Sequence, residues 1–334
     1  MVLITGATGH IGNVLVKKLY EVGEKIRIFV LPNEDTSIFD DMEIEIYYGD
    51  IRNYNDIREA SKDVDIIYHL AAIISILPWK NDLVYSVNIN GVENIIKAMK
   101  ETNVKKLLYV SSVHAFAEIE KGATIDENTP IDPDLTSGAY GKSKAIATLK
   151  VFNAVKNNEI NATIVCPSGV IGPYDYKFSE IGKVFKSFLE GNLKYCVDGA
   201  FDFVDVRDVA NGIIKAAKYG KNGEIYILSG ENITMRKIFY YLNQITQKNY
   251  KIKFINPSSA YFVSYLTLFN YLSSSRKNLS LSPYSVHTLL RYYKFSHKKA
   301  EKDFGYNPRP LYESLKDTIA WIQEYYKLSI KKEV

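Results

Sequence analysis

Three residues of this 334-residue chain have the types and spacing for proton transfer at a carbonyl or alcohol oxygen. Tyr140 and Lys144 stand four apart in SGAYGKSKAIATLKVF, which reads as a helix, so they share a face. A free phenol, with a pKa of about 10, is a poor acid–base partner at neutral pH, whereas a neighbouring ammonium favours the phenolate and pulls that value down. Ser112 closes the apolar run LLYVSS, and a hydroxyl at a strand end can orient the oxygen that exchanges the proton. The Tyr-x-x-x-Lys spacing alone means little in a chain with 26 tyrosines. Its weight depends on the elements that position it.

Those elements are legible as short β-branched runs alternating with helical periodicity: VLIT, KIRIFVL, IEIYYGD, DIIYHLAA, KKLLYVSS and ATIVCPS. Near-continuous apolar strands with helices between them predict an α/β fold, a Rossmann-type doubly wound parallel sheet covered on both faces. Ser112 then falls at the carboxyl edge of the sheet, where such folds bind ligands. After Pro167 the pattern loosens, FDFVDVRDVANGI reads as a short strand feeding a helix, and the rest is helix-rich up to the amphipathic PLYESLKDTIAWIQEYYKL. The expected division is 1–168 plus about 202–228 as a dinucleotide-binding domain. About 169–201 plus 229–334 form a smaller, mostly helical substrate-binding domain woven into it.

The opening MVLITGATGHIG supplies the reason for expecting a dinucleotide. Between a strand and a helix, Gly6 allows a tight turn, Gly9 lets a pyrophosphate approach the backbone, and Gly12 lets the helix pack close to the sheet. The unpaired N–H groups and dipole of the helix then face the phosphates. The position about 20 residues on, where an acid would hold the adenosine ribose of NAD or an arginine the 2′-phosphate of NADP, reads Leu31-Pro32-Asn33. Asn33 can hydrogen-bond a ribose hydroxyl, and Glu34 or Asp35 can reach back, so NAD and NADP both stay open. Ala71 and Ala72 are small enough for a cofactor to lie against the fourth strand's end.

Composition narrows the partners. A net charge of +4 with scattered lysines gives no basic stripe for nucleic acid. Two cysteines, Cys166 and Cys196, without a CxxC pair or a His-rich cluster, indicate neither a metal site nor a disulfide framework, and fit a reducing cytoplasm. A first strand expected to start at residue 2 would leave no room for a signal peptide. The apolar run AYFVSYLTLFNYL is shorter than the roughly 20 residues of a membrane span. It is expected to be a core or dimer-face helix, with peripheral membrane contact as the alternative.

The GxxGxxG spacing, rather than GxGxxG, resembles the extended short-chain dehydrogenases/reductases, the NAD-dependent epimerase/dehydratase family, and within it the dihydroflavonol 4-reductase-like group. The resemblance runs through TGATGHIG, VNINGVENIIKA, CPSGVIGP, FVDVRDVANGI and FGYNPRPLYESLKDTIAWI, nearly the whole chain. It implies a Ser112-Tyr140-Lys144 triad, with Lys144 also bonding the nicotinamide ribose. It implies cofactor contacts from Gly6, Thr8, Gly9, His10, Ile11, Gly12, Asn33, Ala71, Ala72, Asn88, Pro167, Ser168 and Val170, with Asp50 accepting from the adenine amine and Ile51 packing on its ring. A homodimer through paired surface helices, one of them bearing Tyr140, is also implied.

Against the family's branches, Val113 and His114 stand after Ser112 where sugar-nucleotide dehydratases carry acids, which disfavours dehydration. Phe201 replaces the arginine with which many sugar-nucleotide epimerases pair the diphosphate. What this chain offers is apolar: Ile73, Ile74, Ile76 and Trp79 after the fourth strand and Phe116 beyond Ser112. The expected activity is NAD(P)-dependent reduction of a ketone or aldehyde, or oxidation of the alcohol, of a small, moderately apolar molecule contacted by Ile73, Ser112, His114 and Ile171. The alternatives are a sugar epimerase using the same triad and tightly held NAD, and a non-catalytic dinucleotide sensor.

Overall fold

The central strands of the main sheet are near-continuous apolar runs because both of its faces are covered, while β3 at one edge is largely exposed. The computed structural model describes residues 1–75, 81–273 and 281–332; Ile76 and Trp79 lie outside them. In chain order the strands are β1 (Val2–Thr5), β2 (Ile26–Val30), β3 (Glu45–Tyr48), β4 (Ile66–His69), β5 (Lys106–Val110), β6 (Thr124–Ile125), β7 (Ala162–Pro167), β8 (Gly169–Ile171), β9 (Tyr195–Val197), β10 (Ala200–Asp205), β11 (Ile225–Leu228), β12 (Glu231–Thr234), β13 (Lys253–Ile255) and β14 (Lys294–Phe295). The α-helices are α1 (His10–Glu21), α2 (Tyr54–Ala60), α3 (Asn81–Tyr85), α4 (Gly91–Glu101), α5 (Gly138–Lys156), α6 (Glu180–Leu189), α7 (Val206–Tyr219), α8 (Met235–Thr246), α9 (Pro257–Ser273), α10 (Pro283–Leu290), α11 (Lys298–Phe304) and α12 (Leu311–Lys332).

Seven strands pair in the order β11-β7-β5-β4-β1-β2-β3, every pair parallel. On one face Ile57 of α2, Ile95 of α4 and Val151 of α5 close a core with Leu3, Ile67 and Leu107. On the other, Leu15 of α1 and Ile213 of α7 close a second with Ile4, Ile28 and Leu108. The strand order reverses between β1 and β4, which opens a crevice at their carboxyl ends. Across it the Thr5 hydroxyl meets His69 Nδ1 at 2.7 Å.

Smaller sheets build the rest. β10 pairs with β8 and β12, not with the main sheet. β9 pairs with β13 and β6 with β14. β11, the IYIL edge strand of the main sheet, is a strand that the sequence pattern did not single out. Of the expected core or dimer-face helix for AYFVSYLTLFNYL, the core half needs correction on one side: α9 buries Ala260 and Ser264 but exposes Phe262 and Phe269. Among the described residues no helix is long and apolar enough to cross a membrane, no cluster could hold a metal, and both cysteines are free.

Candidate active site

α5 brings Tyr140 and Lys144 to the sheet because its contact face is built from small residues. Gly141, Ser143, Ala145 and Ala147 are all buried. A Cβ on Gly141 would lie 2.8 Å from the His114 carbonyl oxygen, so only glycine allows α5 to approach the turn after β5 this closely. That turn begins at Ser112, which caps a short 3₁₀ helix by accepting from the His114 amide at 3.2 Å.

The turn and α5 place Ser112 against Tyr140. Burial pushes the Tyr140 phenol up to about 12, and the Ser112 side chain beside it acts in the opposite direction. Lys144 Nζ, buried under the same helix, donates to the Val110 carbonyl at 2.8 Å and lies 5.0 Å from the centre of the Tyr109 ring. Burial pulls its pKa down to about 8. In this arrangement the ammonium is turned to Val110 and burial holds the phenol above its ordinary value.

Asn88, expected at the cofactor, has its amide engaged elsewhere. Its Oδ1 accepts from the Ile73 amide at 2.8 Å, and its Nδ2 donates to the Ile73 carbonyl at 3.1 Å and to Ser143 Oγ at 2.9 Å. Ser143 in turn donates to the Tyr140 carbonyl at 2.7 Å. Asn88 thus ties the loop after β4 to the helix turn that carries Tyr140.

The glycine loop fits a pyrophosphate. Gly6 has φ +72°, and a Cβ there would strike the Ala71 amide nitrogen at 2.7 Å, while one on Gly12 would sit 2.1 Å from the Gly6 carbonyl. Gly9 is the N-cap of α1 and offers no side chain to the first-turn N–H groups, and that turn carries no acid. An anion is therefore favoured there by both the dipole and the free donors. Thr8 faces the end of β2: its hydroxyl donates to Glu34 Oε1 at 3.0 Å, and Lys177 donates to both Thr8 and Glu34. Burial pushes the Glu34 carboxyl up, but the bonds from Lys177 and Thr8 outweigh it and hold it below its ordinary value. Asn33 beside it is exposed.

The other expected contacts separate. Asp50 is chelated by Arg52, with Nη2 at 2.6 Å, and Ile51 is buried against Gly91. Ala71 and Ala72 stay partly accessible beside Gly6. Ile11 and Val170 are half-buried against the core of α1 and α7. His10 Nε2 meets the Pro173 carbonyl at 3.0 Å. Pro167 ends β7, and the Ser168 amide donates to Leu228 at 3.2 Å. Ile171 lines a small cavity with His10, Asp175 and Trp321.

His114 is where the structure adds most. Its ring stands edge-on to Tyr140 at 5.9 Å and stacks on Phe201 at 5.8 Å, and its Nδ1 meets the Tyr284 hydroxyl at 3.2 Å. Burial pulls its pKa down to about 4, so it is neutral at pH 7. Beyond it runs a cavity walled by Phe116, Phe201, Tyr284 and Phe295, with Glu118, His287 and Arg291 at its polar part. Tyr284 and Arg291 carried no signal in the sequence.

Comparison with known proteins agrees with this geometry. Residues 2–229 match the sequence model of the NAD dependent epimerase/dehydratase family. Sterol demethylase protein B of Methylococcus capsulatus is 34% identical over 245 residues, 73% of this chain and 74% of its own. A putative dihydroflavonol 4-reductase of Synechocystis is 30% identical over 247 residues, covering 73% and 71%. The sterol-4-alpha-carboxylate 3-dehydrogenase of Candida albicans is 26% identical over 352 aligned positions, 97% of each chain. The crystal structure of gox2253 superposes with a TM-score of 0.85 at 30% identity, covering 97% of this chain and 98% of that one.

Proposed function

The chain belongs to the NAD dependent epimerase/dehydratase family, an extended short-chain dehydrogenase/reductase enzyme, and from that premise we propose that it interconverts an alcohol and a ketone or aldehyde on an apolar small molecule. Tyr140 is the acid–base: it gives its hydroxyl proton to the substrate oxygen in reduction and accepts it in oxidation. Ser112 orients that oxygen, and Lys144 supplies a buried positive charge that favours the phenolate once the ammonium turns from Val110. Neutral His114 and the rings of Phe116 and Phe201 flank the substrate. When bound, the nicotinamide dinucleotide supplies or accepts the hydride. The loop from Gly6 to Gly12 and the start of α1 hold its pyrophosphate, and Glu34 selects NAD, because a carboxylate bonds ribose hydroxyls and repels a 2′-phosphate.

The observation that carries the reading is the pairing of Ser112 with Tyr140 beside a cavity whose walls are aromatic. The same wall argues against a nucleotide-sugar substrate, since Phe201 stacks on His114 where a diphosphate would need a cation. The names of the sterol relatives direct the choice of substrates to test. NADH and NADPH binding is titrated first, followed by a panel of hydroxysteroids, sterols and smaller ketones and alcohols. Turnover of an apolar alcohol or ketone with net change in NADH supports the proposal, whereas epimerisation of a nucleotide sugar with no net change overturns it. The homodimer belongs to the same reading, and light scattering tests it.

A further inference from the structure

We propose that α9 is a peripheral membrane-binding element that lays Phe262, Tyr265, Leu266 and Phe269 into the interface of an anionic lipid leaflet. These four residues follow the i, i+3, i+4, i+7 pattern of one helix face and are 67%, 60%, 47% and 68% exposed. A helix on the surface of a globular protein normally turns such a face inward. Here the inward face is the other one: Ala260 and Ser264 are fully buried, packed towards Val197, Val286 and Leu290. The 17 residues of α9 include no Asp, Glu, Lys or Arg.

The charge around the helix selects the partner. Residues 232–300 contain eleven Lys and Arg and not one Asp or Glu, so the other 31 cations of the chain face all 38 of its acids. Lys248, Lys251 and Lys253 are exposed just ahead of α9, and Lys253 lies opposite the exposed Tyr195 in the β9–β13 register. Acids of other elements pair with part of this set, Asp198 with Arg236, Glu231 with Lys237, Glu118 with His287 and Arg291, and Glu224 with Lys299, whereas Lys248, Lys251 and Lys253 are in none of these pairs. A second copy of the chain is a poor occupant, because a two-fold interface would set this cationic rim against itself. An anionic leaflet accepts both the aromatic stripe and the lysines.

The inward side of the helix also touches the candidate active site. The Tyr261 hydroxyl of α9 meets His287 Nδ1 of α10 at 3.4 Å, and His287 lines the cavity beside His114. An apolar molecule held in the leaflet would then be one helix away from the cavity. Lipid binding itself does not rest on the assigned reaction, since it is read without turnover.

The full chain is sedimented with phosphatidylcholine vesicles with and without about 30 mol% phosphatidylglycerol. The expected result is at least about tenfold tighter binding to the anionic vesicles, weakened by raising salt to about 0.5 M. Phe262→Ser with Phe269→Ser should abolish sedimentation while leaving the circular-dichroism melt intact. Lys251→Glu with Lys253→Glu, which leaves the apolar face untouched, should weaken it about tenfold or more. Wild-type protein that stays in the supernatant, either variant binding like wild type, or a dimer in light scattering that depends on Phe262 without vesicle binding, overturns the proposal.

Discussion

Gly141 and His114 approach so closely that a single methyl group would not fit between them: a Cβ on Gly141 falls 2.8 Å from the His114 carbonyl oxygen and 2.7 Å from Thr136. Two effects of Gly141→Ala compete. Alanine is favoured in a helix by about 1 kcal/mol, while overpacking against a fixed backbone carbonyl costs about 1–3 kcal/mol. The clash wins because neither α5 nor the turn after β5 can yield without moving Tyr140 from Ser112. A displacement of this kind is expected to lower kcat by roughly 10- to 100-fold with little change in cofactor affinity. Steady-state kinetics with a cofactor titration checks this, and an unchanged kcat would show that the spacing is not critical.

In the proposed function Glu34 reads the cofactor's ribose. Removing it in Glu34→Ala takes away one charge-assisted acceptor, which is worth about 1.5–3 kcal/mol. NADH should bind at least about tenfold more weakly, and the preference over NADPH should shrink or invert as Lys177 is released. Fluorescence titration of both cofactors measures it. Equal weakening for both would mean that Glu34 supports only the loop.

Asp202 carries a cost in stability that has a definite pH signature. Buried beside Ser168 and the Gly230 amide, its carboxyl is pushed up to about 6 by desolvation. The folded state therefore binds a proton that the unfolded chain has released in the window from about pH 4 to about pH 6, so stability falls as pH rises through that window. Asp202→Asn keeps an acceptor for Gly230 and removes the charge. The variant should be more stable at pH 7, by up to about 3 kcal/mol, and lose that advantage below about pH 4. Urea unfolding at the two pH values tests it, and the same difference at both would contradict the assignment.

The sequence disclosed the sheet and the outlines of the site because both depend on local patterns. Continuous apolar strands and the glycine spacing between β1 and α1 are readable within a dozen residues, and Tyr140 and Lys144 lie one helix turn apart. What it did not disclose depends on distant segments. Tyr284 meets His114 across 170 positions, and Lys177 meets Glu34 across 143. No periodicity links such pairs. β11 was missed because four residues make a weak signal, and the pairing of β10 with β8 and β12 joins segments that no local pattern connects. For Tyr140, spacing reports that Lys144 is near, but not that burial raises the phenol or that Val110 holds the ammonium.

In the proposed function Tyr140 is the group that exchanges the proton. Tyr140→Phe keeps the ring beside His114 and deletes only the hydroxyl. With the preferred substrate and cofactor in hand, turnover should fall by about 10²- to 10⁴-fold while NADH binds as in the wild type. Undiminished turnover in Tyr140→Phe with cofactor binding intact would contradict the central claim.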